Sequence, residues 1–177
     1  MAVAMQSSTA ATLVIDTASD LPEKHDGATS EPQAVRLWLR LLTCSMTIEK
    51  RVRRRLADEF DTTLPRFDVL AALDRSPEGM RMGALSQALL VSGGNLTALV
   101  RQIEAQGHAA MRRDPADRRS WIVTITPAGR AHFRAVAAEH HHWVGAMFAG
   151  LSAEHADQLY ALLAELKASI AADGARG

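Results

Sequence analysis

The sequence predicts a mainly α-helical protein with a small β-hairpin wing, and three observations lead there. Apolar residues recur at three- and four-residue steps through most of the chain after residue 31. Period-two alternation is confined to one short stretch, Trp121, Val123 and Ile125 against Ile122 and Thr124. Between the helical pattern and that stretch lies a loop with Arg112, Arg113, Arg118 and Arg119, which makes the hairpin basic.

Residues 1–31 are rich in Ala, Ser, Thr and Asp, and Leu13-Val14-Ile15 is their one apolar run. They bury too little to offset the entropy of ordering, so a mobile arm is expected. In residues 32–62 a long helix carries Trp38, Leu41, Ser45, Ile48, Val52 and Leu56 as one stripe. At about 1.5 Å per residue it spans about 40 Å, too long for a small core to cover. Its basic run, Lys50, Arg51 and Arg53 to Arg55, is spread round the helix and reads as a solvated face.

Residues 63–126 hold the most specific pattern. Thr63 and Pro65 start a helix over 65–75 with Phe67, Leu70 and Ala71 inward, and Ser76-Pro77-Glu78-Gly79 ends it. Two helices then meet at a tight turn. Residues 82–89 carry Met82, Leu85 and Leu89, and residues 93–106 carry Leu96, Leu99, Val100 and Ile103. The Ser92 hydroxyl suits an N-cap, and Gly107 tolerates the left-handed conformation past a last turn. This is a helix-turn-helix outline. Residues 108–112 and 121–125 form the hairpin. In residues 127–172, Thr126 and Pro127 start a helix through Phe133, Val136, Trp143, Val144 and Met147. Ser152 caps a last one with Leu159, Leu162, Leu163, Leu166 and Ile170.

The helix-turn-helix, Gly107, the wing Asp114-Pro115-Ala116-Asp117-Arg118-Arg119 and the exit Val123-Thr124-Ile125-Thr126-Pro127-Ala128-Gly129 resemble the MarR family (multiple-antibiotic-resistance type) of winged-helix transcriptional regulators. The resemblance covers about residues 34–171. The sequence departs from the family's usual pattern at His108-Ala109-Ala110-Met111, where a bulkier apolar pair and a charged residue are usual, and at Arg101, where an acidic residue is common. The resemblance implies a winged helix-turn-helix lobe at 63–126, a dimerisation helix at 32–62 and C-terminal dimerisation helices at 127–172. The partners expected are a second copy of the chain and double-stranded DNA with a pseudo-palindromic operator. The expected role is a repressor of a catabolic or stress operon, released by a small aromatic acid or phenol.

Composition bounds this reading. The formal net charge of the 177 residues is zero, which argues against a generic polyanion binder but leaves room for local basic surface. Cys44 is the single cysteine, so no intramolecular disulfide or multi-cysteine zinc site can form, and a reducing cytoplasm is the natural compartment. No apolar run approaches the roughly 18–20 residues of a membrane helix, so no membrane is expected.

The candidate DNA-binding residues separate by face. With Leu96, Leu99, Val100 and Ile103 inward, Gly94, Asn95, Thr97, Ala98, Arg101 and Gln102 point outward. Asn and Gln can bond adenine, a Thr methyl can meet a thymine methyl, and Arg can take a guanine edge or a phosphate. Ser92, Gly93 and Gly94 bring the helix N-terminus close to the DNA backbone. In the wing, Arg112 and Arg119 add basic charge while Arg113 or Arg118 reaches a narrow minor groove. Asp117 accepts from Arg119 and holds the loop in shape.

For an effector, Trp38, Arg40, Ser45, Phe67, His140 and Trp143 combine aromatic walls with cationic donors, which suits an aromatic carboxylate in a crevice between the dimer helices and the DNA-binding lobe. Cys44 reads as a packed small thiol rather than a peroxide sensor. His140, His141 and His142 project about 100° apart on a helix and cannot converge on one metal ion. A metal- or redox-responsive regulator of the same fold is the alternative reading. A non-catalytic helical interaction protein is the alternative from another class. No nucleophile elbow, phosphate loop, dinucleotide fingerprint or H-E-x-x-H is present, so neither catalysis nor a cofactor is expected.

Overall fold

The computed structural model describes residues 32–117 and 119–174; the expected N-terminal arm and Arg118 lie outside the described residues. The chain divides into two compact units between Ser45 and Met46. The described part of the first unit is the opening half of helix α1 (Gln33–Phe60). Among the described residues of this half none is fully buried: Val35, Leu37, Trp38 and Leu41 are exposed, and Leu39, Leu42 and Thr43 are half-buried. Cys44 is exposed as well, which corrects the expectation of a packed thiol, because no described residue covers it.

The second unit holds the rest of α1, then α2 (Leu64–Asp74), β1 (Met80–Arg81), α3 (Met82–Leu89), α4 (Gly93–Ala105), β2 (Ala109–Arg113), β3 (Trp121–Ile125), α5 (Pro127–Phe148) and α6 (Ala153–Gly174). Helix ends fall within a few residues of the sequence expectation. The chain bends by 106° between α3 and α4, as a helix-turn-helix requires. Among the described residues no single helix is long and apolar enough to cross a membrane.

The sheet has three antiparallel strands in the order β1-β3-β2 rather than a two-stranded hairpin. Met80 pairs with Val123 and Arg81 with Ile122, so β1 is a two-residue edge too short to show a period of its own. Gly79 turns the chain into it at φ +85°, with its Cα so close to the Val123 carbonyl that a Cβ there would clash with backbone.

Two hydrophobic clusters build this unit. Val69, Leu70, Leu73, Leu85, Leu96, Val100, Ile103, Ala109 and Val123 join α2, α3, α4 and the sheet. Val52, Leu56, Phe67, Val136 and Trp143 join the second half of α1, α2 and α5. Each inward stripe expected for α2, α3 and α4 is therefore a contact between helices. Helix α6 differs, since none of its residues is buried.

Two polar devices fix helix starts. The Thr126 hydroxyl accepts from Gly129 N–H (2.9 Å) and donates to the Gly107 carbonyl (2.6 Å), tying the start of α5 to the end of α4. Ser152 Oγ accepts from His155 N–H at 3.1 Å ahead of α6. Ser92 departs from expectation. It occupies the N-cap of α4 in extended conformation and its carbonyl accepts from Leu96 N–H, but its hydroxyl makes no capping bond.

Candidate nucleic-acid interface

Helix α4 presents two faces of opposite character. Leu96, Val100 and Ile103 are buried and Leu99 is half-buried, whereas Ser92, Gly93, Gly94, Asn95, Ala98 and Arg101 are exposed. Gly93 and Gly94 have nothing within 4 Å of where a Cβ would stand. Packing within the fold therefore gives no reason for two glycines at the first two positions of the helix. Thr97 is half-buried, and its hydroxyl donates to the Gly93 carbonyl at 3.0 Å, which leaves the methyl for apolar contact. Gln102 is exposed, as the sequence reading expects, and its Oε1 accepts from Arg66 of α2 at 3.1 Å.

The wing is braced at both ends. Glu104 of α4 accepts from Met111 N–H at 3.0 Å, anchoring β2 to the helix. Arg113, paired in register with Trp121, places its guanidinium 4.1 Å above that ring. Stacked so, it stiffens the hairpin through a cation–π contact. Arg112 and Arg119 are exposed, and Arg118 lies outside the described residues.

Asp114 is the wing residue that sequence reasoning missed. It is 2% exposed, accepts from Ala116 N–H at 2.8 Å and lies 2.6 Å from Arg81 Nε on β1. The Oδ2 atom makes no well-aligned hydrogen bond, so Arg81 holds it as an ion pair by proximity. The Ala116 amide first, and then the Arg81 charge, keep the Asp114 carboxyl below the usual carboxylate range. Asp117 shapes the loop as expected, through the backbone N–H of Arg119 (3.0 Å) and the Ser120 hydroxyl (2.8 Å), and these bonds hold its carboxyl below the usual range too. A buried acid after a run of arginines was the available signal for Asp114. Its partner lies on a strand that the sequence did not reveal.

These elements, two helices crossing near a right angle, an exposed polar face on the second and a braced basic hairpin beside it, are those of a winged helix-turn-helix. Residues 60–120 match the family model described as MarR family. The transcriptional activatory protein BadR of Rhodopseudomonas palustris is 41% identical over 99 residues, which are 55% of this chain and 56% of that protein. The chain thus spans little more than half of this curated relative. A MarR-family regulator of Silicibacter pomeroyi is 28% identical with a TM-score of 0.66, covering 77% of this chain and 94% of the other. Residues 60–120 of the chain thus resemble the MarR-family winged helix-turn-helix. The fold of the protein in the S. aureus MepR–DNA complex superposes with a TM-score of 0.67 at 21% identity, over 78% of this chain and 99% of that one.

The candidate effector residues fall into two groups. Trp38, Arg40 and Ser45 are exposed on the opening half of α1. In the second unit Phe67 stacks on His140 at 4.8 Å, and Trp143, 2% exposed, belongs to the core, with Phe60 at 6.1 Å and the Arg55 guanidinium 5.6 Å from its ring. Burial, then His141, pushes the His140 imidazole below its ordinary value. Among the described residues no three His, Cys, Asp or Glu side chains converge to hold a metal. The basic run of α1 is partly consumed by its own helix, Arg53 on Glu49 and Arg54 on Asp58.

Proposed function

We propose that this chain is a sequence-specific DNA-binding transcriptional regulator that grips a pseudo-palindromic operator as a homodimer. The observation that carries the reading is the outward face of α4. Asn95, Ala98 and Arg101 stand free of the core, and the paired glycines at the helix start leave backbone N–H groups open to a phosphate. Arg112, Arg118 and Arg119 contact the flanking backbone or minor groove, and Arg113 supports them from its place on Trp121. In this reading residues 63–126 are the DNA lobe, and 32–62 with 127–172 the dimer.

In this reading the dimer represses a catabolic or stress operon, and an aromatic acid or phenol weakens its hold. The relative named as an activator favours a second reading in which the same complex raises transcription.

Titration of operator and scrambled duplexes at several salt concentrations tests this proposal. Asn95→Ala is expected to cost about 1–3 kcal/mol at the operator and to relax one position in each half-site. Arg118→Ala should weaken both duplexes evenly, lowering the slope of log affinity against log salt by about one unit per phosphate lost. If Asn95→Ala leaves specificity intact while a substitution within residues 50–55 abolishes it, α4 is not the reader.

A further inference from the structure

We propose that the cleft between α2 and α3 is a binding site for a small zwitterion, with an ammonium group at Asp68, a carboxylate at Arg75 and an apolar body between them. The cleft is a half-open slot of about 430 Å³, within the range of about 300–1,000 Å³ typical of small-molecule sites. Its floor is one face of α2. Asp68, Ala71, Ala72 and Arg75 stand at helical steps of 0, 3, 4 and 7, so the two charges mark the ends of a trough about 10 Å long. Ala88 and Leu89 of α3 form the facing wall. The three alanines leave the space that larger side chains would fill.

Both ends are prepared for a ligand. Asp68 is half-buried and makes no hydrogen bond or ion pair among the described residues, and its burial raises the carboxyl above its ordinary value. Arg53 and Glu49 of α1, paired with each other at 2.6 Å, act on it with opposite signs, and Arg75 favours its charged form. A partly desolvated carboxylate of this kind gains most from a cation that brings its own N–H donors. At the opposite end, Arg75 Nε donates to the Ala71 carbonyl at 3.0 Å, which fixes the guanidinium and leaves its terminal nitrogens for a carboxylate. A simple anion would meet Asp68 and a simple amine would meet Arg75. The slot therefore selects molecules that carry both charges at opposite ends.

The test uses the full chain without DNA, so that failure here is separate from failure of the DNA-binding reading. 4-(Aminomethyl)benzoate is the probe, with benzoate and benzylamine as single-charge controls, read by calorimetric titration and thermal shift. The zwitterion is expected to bind saturably and raise the melting temperature, with each control about tenfold weaker. Asp68→Asn should erase the preference over benzoate, and Arg75→Gln the preference over benzylamine. Ala88→Leu should fill the slot and abolish binding at unchanged far-ultraviolet circular dichroism. If that variant does not fold, the size-conserving Asp68→Asn decides. Equal affinity for the three probes, no saturable binding at millimolar zwitterion, or full binding by Asp68→Asn would overturn the proposal.

Discussion

The winged lobe and helix α6 are both rich in leucine and use it in opposite directions. In the lobe Leu70, Leu73, Leu85 and Leu96 are sealed inside one cluster that the lobe closes by itself. Along α6, Leu159, Leu162, Leu163, Leu166 and Ile170 keep the same helical spacing yet all remain exposed. Periodicity thus reports that a helix has an apolar face, and only the rest of the chain decides whether that face has been covered. Full burial of such a side chain is worth roughly 1.5–3 kcal/mol, so the bare face of α6 is a large unspent driving force for association. The opening half of α1 presents the same condition.

Charging the bare face should have the largest effect. Leu162→Asp with Leu166→Asp is expected to reduce a particle of about twice the 19.1 kDa chain mass to a single chain by light scattering, with the lobe's circular dichroism kept. A double variant that stays dimeric would erase the distinction. The inward face is tested by Leu96→Ala, which should cost roughly 2–5 kcal/mol in denaturant unfolding, against less than about 0.5 kcal/mol for Leu162→Ala made in the monomeric variant.

A smaller effect sharpens the contrast through pH. His108 and His132 stack at 4.5 Å between the wing base and α5, and burial first, then the neighbouring His108, pushes the His132 imidazole below its ordinary value of 6.5. The folded chain thus favours neutral His132 while the unfolded chain takes up the proton first. Stability should be complete above about pH 6.5 and fall as pH drops below it, down to the lower folded value. Melting curves between pH 8 and 5, flattened by His132→Phe, check the assignment. An unchanged slope in that variant would move the pH dependence elsewhere.

The smallest effect sits at the turn. Leu90 ends α3 in the left-handed conformation at φ 55° with 94% of its surface exposed. Leu90→Gly removes a strain of about 1–2 kcal/mol and returns part of it as chain entropy, for a net gain of up to about 1 kcal/mol, read as a higher urea midpoint.

What the sequence disclosed follows from how far each feature depends on distant residues. Strand β3 was legible because Trp121 to Ile125 alternate within five residues, and α4 because its stripe and Gly107 are local. Strand β1 was not, since two residues acquire strand character only by pairing with Val123 and Ile122. The Arg81–Asp114 pair depends on that strand and was hidden with it. Ser92 had the right residue type for a cap, but type does not set the rotamer. Cys44 was misplaced because a stripe resembles a buried face whether or not anything lies over it. The polar face of α4 was readable, except that Gln102 is held by Arg66, thirty-six positions earlier.

Thr126 has a mechanical meaning as well. Its single oxygen holds the tail of α4 through Gly107 and the head of α5 through Gly129, while the Gly129 Cα presses on the His108 carbonyl too closely for any side chain. The two helices share one bolt at the base of the hairpin, where the chain leaves α4 and returns to α5. The far end of the 22-residue α5 stands about 33 Å from that joint, so a small angle at Thr126 corresponds to a large displacement there.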